Sequence, residues 1–239
     1  MIDWDAIDTV LLDMDGTVLD LHFDNHFWQE HVPVRYAERH SLPHVEARSR
    51  LTDIYRAKAG TLDWYCVDYW TRELQLDIAR LKEEVAHLIA VHPDVPRFLE
   101  ALRAAGKGVA LVTNAHQKSL SLKMARTGLK MHFDLLITSH EVGKPKEDPA
   151  FWPALRAMVP YDPARTLLID DSLPVLRGAI KWAGLAYLLW LAWTLAGSAR
   201  LAQADPRRFD VLSRYRYKVL RAMVPHHQVN TGSWMHVVA

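Results

Sequence analysis

Asp13 and Asp15 close the apolar run VLLDMDGT (10–17), one residue apart. Two like charges at the end of a buried run repel each other and resist losing water, so the pair needs a compensating partner. Three more stretches deliver polar side chains in the same way. VALVTNAH (109–116) brings Thr113 and Asn114, TLLIDDS (166–172) brings Asp170 and Asp171, and the loop EVGKPKED (141–148) offers Lys144 and Lys146. Taken singly, each has an ordinary reading as a turn signal, a helix cap or a solvated loop lysine. Their joint occurrence at four successive strand ends points to one shared site. Carboxylates gathered at a point are tolerated around a hard divalent cation. Mg²⁺ takes oxygen ligands from a few carboxylates, water and a substrate phosphate. A hydroxyl and an ammonium beside it supply the donors that a transferring phosphoryl group needs.

Such side chains need a scaffold that collects strand ends. Thr9–Asp13, Val109–Thr113, Leu135–Thr138, Thr166–Asp170 and Ala186–Leu189 read as strands. Ser119–Thr127, Pro149–Met158 and Leu173–Ala183 have helical length, and Pro93–Ala105 reads as a helix stopped by Gly106. This alternation predicts an α/β fold with a Rossmann-like parallel sheet, helices on both faces and ligands at the carboxyl ends of the strands. Leu21 to Val91 interrupts it, far longer than a usual βα connection. FDNHFWQEHVPVRYAERH, VEARSRLTDIYRAKAG, LDWYCVDYWTRELQ and IARLKEEVAHLIAV each read as a helix there. The expected organisation is a discontinuous core, 1–20 and 92–200, an all-helical cap inserted after the first strand, 21–91, and a tail, 201–239, of uncertain structure.

Bulk composition narrows the partners. Twenty-nine Lys and Arg against 28 Asp and Glu leave a formal charge of +1, so no global field draws the chain to polymeric nucleic acid or to anionic lipid. The basic tail stretch around Arg207, Arg208, Arg214 and Arg216 reads as a solvated helix face, and His226 and His227 as surface residues. The single cysteine, Cys66, is too few for an internal disulfide or a zinc cluster built on cysteines, and fits a reducing, cytoplasmic compartment. MIDWDAID is acidic and no signal peptide. The apolar run Leu185–Gly197 falls short of the roughly 20 residues of a membrane helix, so no membrane is expected.

DMDGT, then TN, then a loop lysine, then DD, in that order around a helical insertion, resembles the haloacid dehalogenase superfamily of phosphohydrolases, from Ile2 to about Leu191. DLHFDNHFW, LDWYCVDYW, TNAH and PKED are similar to a narrower group, the purine 5′-nucleotidases acting on GMP and IMP. The resemblance implies Asp13 as the nucleophile that forms an aspartyl-phosphate. It implies Asp15 as the acid that protonates the leaving alcohol and then the base that activates water. Mg²⁺ would be held by Asp13, Asp171 and the Asp15 carbonyl, with Asp170 supporting the shell. Thr113, Asn114 and the loop lysine would hold phosphate oxygens. Relatives commonly place Pro three and an aromatic residue six positions after that lysine, which selects Lys146 (Pro149, Trp152) over Lys144. After Tyr187 the chain departs from the polar loop usual in relatives.

Other readings share part of the pattern. A phospho-accepting receiver domain places its DD pair after the first strand, so the order here rejects it. A metal-free dehalogenase needs neither Asp15 nor the DD pair. A phosphatase of sugar phosphates or phosphoglycolate, or a phosphomutase, differs only in the cap. Cap residues therefore carry the substrate expectation of a small phosphomonoester with a purine base. Trp28, Trp64, Tyr65 and Tyr69 offer rings to stack on, with Tyr65 and Tyr69 expected as neighbours on one helix face. Asp24, Asn25 and Asp68 offer polar contacts to the base.

Overall fold

The computed structural model describes residues 2–182. The strand expected at Ala186–Leu189, the apolar run Leu185–Gly197 and the tail 201–239 lie outside the described residues. Four of the expected strands form: β1 (Thr9–Leu12), β2 (Gly108–Thr113), β3 (Leu135–Thr138) and β4 (Thr166–Ile169). They make a parallel sheet in the order β3-β2-β1-β4. The chain steps outward from β1 through β2 to β3, then returns to the other side of β1 for β4. This reversal opens a crevice beyond the carboxyl ends of the central strands. Leu12 pairs with both Leu111 and Ile169, so Asp13, Val112 and Asp170 follow at one level.

Between β1 and the second strand the chain builds the helical insertion. It comprises α1 (His22–His26), α2 (Val32–His40), α3 (His44–Arg56), α4 (Leu62–Tyr65), α5 (Val67–Leu74) and α6 (Ile78–Glu84). A π-helical turn, Phe27–His31, joins α1 to α2. Pro33 has no N–H to donate and crowds the carbonyl four residues back, which the wider turn before it absorbs. The two ends of the insertion lie side by side. Leu19 bridges to Val91, the Asp20 N–H donates to Ala90 (3.1 Å) and the His92 N–H donates to Val18 (3.1 Å).

LDWYCVDYWTRELQ is not one helix, contrary to the sequence expectation. Cys66 is extended (φ −84°, ψ 111°) and separates α4 from α5. Its sulfur accepts the Tyr69 N–H and so caps α5, while the Trp70 indole N–H donates to the Trp64 carbonyl (2.8 Å) that the break leaves free. The helical phase restarts at Val67, so Tyr65 and Tyr69 are not neighbours on one face.

The rest of the chain returns to the sheet through α7 (Val95–Ala104), α8 (Gln117–Thr127), α9 (Ser139–Val142), α10 (Phe151–Met158) and a helical stretch over 173–182. Side chains alternate across β1. Val10 and Leu12 share a core with Leu99 and Leu102 of α7, Leu120 and Met124 of α8, and the insertion's Phe23, Phe27 and Trp70. Leu11 joins Phe151, Trp152 and Leu155 of α10 and Val175 on the opposite face. The insertion is thus continuous with one face of the sheet. No helix among the described residues is long and apolar enough to cross a membrane.

Gly178, in the 173–182 stretch, packs against the loop that carries Lys146. A Cβ there would meet the Glu147 carbonyl oxygen at 2.7 Å. At an open helical position Gly→Ala stabilises by about 1 kcal/mol. Here Gly178→Ala should instead destabilise by about 1–3 kcal/mol, as overpacking does. Urea unfolding checks the sign, and a stabilised variant would show that the loop yields freely.

Candidate active site

Asp13 leaves β1 with its N–H donated to the Ile169 carbonyl (3.0 Å), which ties it to β4 after regular pairing ends. Lys146 is buried beside it. Its Nζ donates to Asp13 Oδ1, to Asp170 Oδ2 (2.7 Å) and to the Val112 carbonyl (2.9 Å). The lysine's own backbone is held from both sides. Its N–H donates to Asn114 Oδ1 (2.9 Å), and its carbonyl accepts the Trp152 indole N–H (3.1 Å). Lys144 instead points to solvent, 3.6 Å from Asp148. Of the two loop lysines, Lys146 is the one at the carboxylates.

Asp13, Asp170 and Asp171 present oxygens within 4.8 Å of one another. Lys146 bonds two of the three carboxylates, Asp13 and Asp170, so one ammonium faces three carboxylates and two negative charges remain in excess when all are ionised. A divalent cation matches that charge and donor set. Without a cation, burial raises the Asp13 carboxyl to about 6 against the pull of Lys146. Desolvation and the neighbouring Asp13 raise Asp171, at the solvent edge, to about 6 as well. Gly16 makes the close approach possible. It sits at φ +91°, and a Cβ there would lie 2.1 Å from Asp171 Oδ2.

The Asp15 side chain is held by a second set of charges. Its Oδ1 accepts Lys123 Nζ (2.7 Å), the same ammonium donates to Asp24 Oδ2 (2.6 Å), and Asp24 Oδ1 accepts Lys82 Nζ (3.3 Å). Two carboxylates and two ammoniums balance. Burial, opposed by Lys123, raises Asp15 to about 6. Burial works against ionised Asp24 too, but Lys123 and Lys82 hold its carboxyl below the usual range. Lys82 lies over the Phe27 ring at 4.4 Å, in an aromatic cradle that suits a buried cation. Sequence reasoning missed both lysines.

Thr113 and Asn114 end β2. The Thr113 hydroxyl accepts the Ala115 N–H (3.0 Å), and Asn114 Nδ2 donates to Glu147 Oε2 (3.0 Å). The Tyr65 hydroxyl donates to the other oxygen of Glu147 (2.5 Å), a link from insertion to sheet also absent from the sequence reading.

A single cavity joins these groups. Asp13, Asp15, Asp171, Thr113, Asn114 and Lys146 form its floor, and Asp24, Asn25, Trp28, Trp64 and Tyr65 line it from the insertion. Tyr55 and Trp70 complete the aromatic wall, meeting edge to face at 5.2 Å and 90°. Asp68 and Tyr69 do not line it, contrary to expectation. After the break at Cys66, Asp68 pairs with Lys118 (2.5 Å), and Tyr69 packs edge-on against Trp70 (4.9 Å) and lies under Lys58 (4.8 Å).

The raised carboxyl at Asp13 carries a sign for stability. An exposed Asp titrates near 3.9. Between about 4 and about 6 the metal-free folded chain keeps a proton on Asp13 that the unfolded chain has released. That contribution is full below the unfolded value and is lost as pH rises through about 6. The stability of the chelator-treated protein minus that of Asp13→Asn should therefore fall between pH 4 and 6, measured by chemical unfolding. A flat difference would contradict the burial account.

Comparisons with known proteins agree with this architecture. The family model for haloacid dehalogenase-like hydrolases matches residues 7–183. GMP/IMP nucleotidase YrfG of Escherichia coli K12 is 41% identical over 215 residues, covering 90% of this chain and 95% of the relative, and that of Shigella flexneri matches equally. Among solved structures, a HAD phosphatase from Thermococcus onnurineus aligns with a TM-score of 0.65 at 27% identity, over 73% of this chain and 82% of that one. With its parallel sheet, its helical insertion after β1 and this match across most of its length, the chain belongs to the haloacid dehalogenase-like hydrolases.

Proposed function

We propose that this hydrolase is an Mg²⁺-dependent phosphomonoesterase that works through an aspartyl-phosphate and prefers the purine 5′-mononucleotides GMP and IMP. The observation that carries the reading is the cavity itself, in which an aromatic wall stands over a floor of Asp13, Lys146, Thr113 and Asn114. The 41% identity to nucleotidases named for GMP and IMP supports the choice of base.

In this reading an Asp13 carboxylate oxygen attacks phosphorus as the bond to the ester oxygen breaks. Asp15 gives its proton to that leaving oxygen. Its carboxyl, raised to about 6 by burial, suits an acid working near neutral pH. Lys123 keeps the Asp15 side chain in place through Oδ1. Asp15, now ionised, takes a proton from water, the water oxygen attacks phosphorus, and inorganic phosphate departs with Asp13 restored. The Thr113 hydroxyl and the Asn114 backbone N–H donate to the phosphoryl oxygens, and Lys146 turns one of its three donors from the carboxylates to them. Asp13, Asp171 and the Asp15 carbonyl would hold Mg²⁺, with Asp170 behind them. When bound, the ion neutralises charge on the transferring group.

The nucleophile is tested by Asp13→Asn. An amide cannot attack phosphorus, so phosphate release should fall by several orders of magnitude while circular dichroism stays native. Substantial turnover in the folded variant would remove Asp13 from its role.

The base is tested by kcat/KM for GMP, IMP, AMP, UMP, glucose 6-phosphate and phosphoglycolate under one set of conditions. Stacking on rings such as Trp28, Trp64 or Tyr65 is worth about 1–3 kcal/mol per base, roughly ten- to hundredfold over a sugar phosphate. Of Asp24 and Asn25 in the cavity wall, Asn25 is the better placed polar contact for the base, since lysines engage both oxygens of Asp24. GMP and IMP should lead the panel. A sugar phosphate ahead of every purine nucleotide would overturn the substrate and leave the phosphatase chemistry standing.

A further inference from the structure

Cys66, His116 and His140 have no part in the chemistry above, yet three separate parts of the chain bring them together. Cys66 is the extended residue between α4 and α5, His116 precedes α8 after β2, and His140 lies in α9 after β3. Each offers a donor atom within 4.8 Å of the other two. The two imidazoles meet edge to face, with centroids 4.8 Å apart at 83°.

His140 is the most telling of the three. Both its ring nitrogens are shut off from solvent, and neither has a hydrogen-bond partner among the described residues. A buried polar group left unpaired is costly, and coordination to a cation would satisfy one of these nitrogens. His116 Nδ1 accepts the Lys118 N–H in a long bond of 3.3 Å that a metal on that nitrogen would replace. Cys66 Sγ accepts the Tyr69 N–H at 3.4 Å, the kind of outer hydrogen bond that supports a thiolate ligand. Burial holds both imidazoles below their ordinary range, and the neutral ring is the form that ligates.

We propose that Cys66, His116 and His140 form a second metal site, for Zn²⁺ or a similar borderline-soft divalent cation, that ties the helical insertion to the sheet at the edge of the cavity. One sulfur and two nitrogens suit such an ion and not Mg²⁺, which takes oxygen donors. One cysteine is too few for a thiolate cluster, but the two histidines bring the set to three ligands. The fourth position would fall to water or to the Asp68 carboxylate, whose Oδ2 lies 3.7 Å from His116 Nε2. The location gives the site its consequence. His116 lines the cavity and Cys66 directly follows the cavity-lining Tyr65, so a bound ion would join the insertion side of the cavity to the sheet side.

The test uses full-length protein stripped of metal and titrated with Co²⁺ in excess Mg²⁺, which occupies the carboxylate site. One equivalent of Co²⁺ should give sulfur-to-cobalt charge-transfer absorption, and Zn²⁺ should displace it. The band should vanish in Cys66→Ser and persist in Asp171→Asn. Loss of a ligand should cost at least the roughly 10–100-fold in affinity that loss of a ligand's supporting partner costs. A chromophoric chelator competing for Zn²⁺ reads this in His140→Phe, with circular dichroism reporting its fold. Absence of the band in the unsubstituted protein overturns the proposal, whatever the variants do. So does its loss in Asp171→Asn, or an unchanged Zn²⁺ affinity in folded His140→Phe.

Discussion

Three carboxylates meet beyond the ends of β1 and β4 with one ammonium among them, and the surrounding structure answers to that imbalance. Burying like charges together is unfavourable unless counter-charge is fixed in place. The strand order brings Asp13 and Asp170 to one level on neighbouring strands. Lys146 reaches both because its peptide is clamped by Asn114 on one side and Trp152 on the other. Gly16 and Gly178 are where the chain dispenses with a side chain so that Asp171 and the Lys146–Glu147 peptide can come close. Two negative charges remain in excess, and a divalent cation with a phosphate ester is the kind of ligand pair that such a site accommodates.

The neighbouring cluster follows the opposite rule. Asp15, Lys123, Asp24 and Lys82 balance one another, and they come from both parts of the molecule. Asp24 and Lys82 belong to the insertion, Asp15 and Lys123 to the sheet and α8. Removing one member of a buried ion pair typically costs about 3–5 kcal/mol, because the partner is left uncompensated. Asp15 therefore depends, for its charge and its orientation, on the insertion packing against the sheet.

The strands and the floor of the cavity were legible in the sequence because each is an apolar run ended abruptly by a polar side chain. The spacing from Lys146 to Trp152 was legible too, and the structure supplies its reason in the indole bond to the Lys146 carbonyl. What stayed hidden depends on partners far away in the chain. Lys123 lies on the buried face of α8 with Leu120 and Met124, and Lys82 on that of α6 with Ile78 and Leu81. A lysine in an apolar stripe is a visible anomaly, but its carboxylate partner is not. The break at Cys66 carried no Pro or Gly to announce it. Its cause is a thiol cap and an indole bond, both settled by tertiary packing.

That break decides which residues the insertion turns toward the sheet. An uninterrupted helix would set Tyr65 and Tyr69 on one face. With the phase restarted, Tyr65 reaches Glu147 while Asp68 pairs with Lys118 and Tyr69 lies under Lys58. Glu147 also accepts from Asn114, whose carbonyl oxygen holds the Lys146 N–H, so a chain of hydrogen bonds runs from the insertion to the ammonium beside Asp13. The insertion is thus tied to the sheet side of the molecule at two places, through the Tyr65–Glu147 bond and through the Asp24 carboxylate on Lys123.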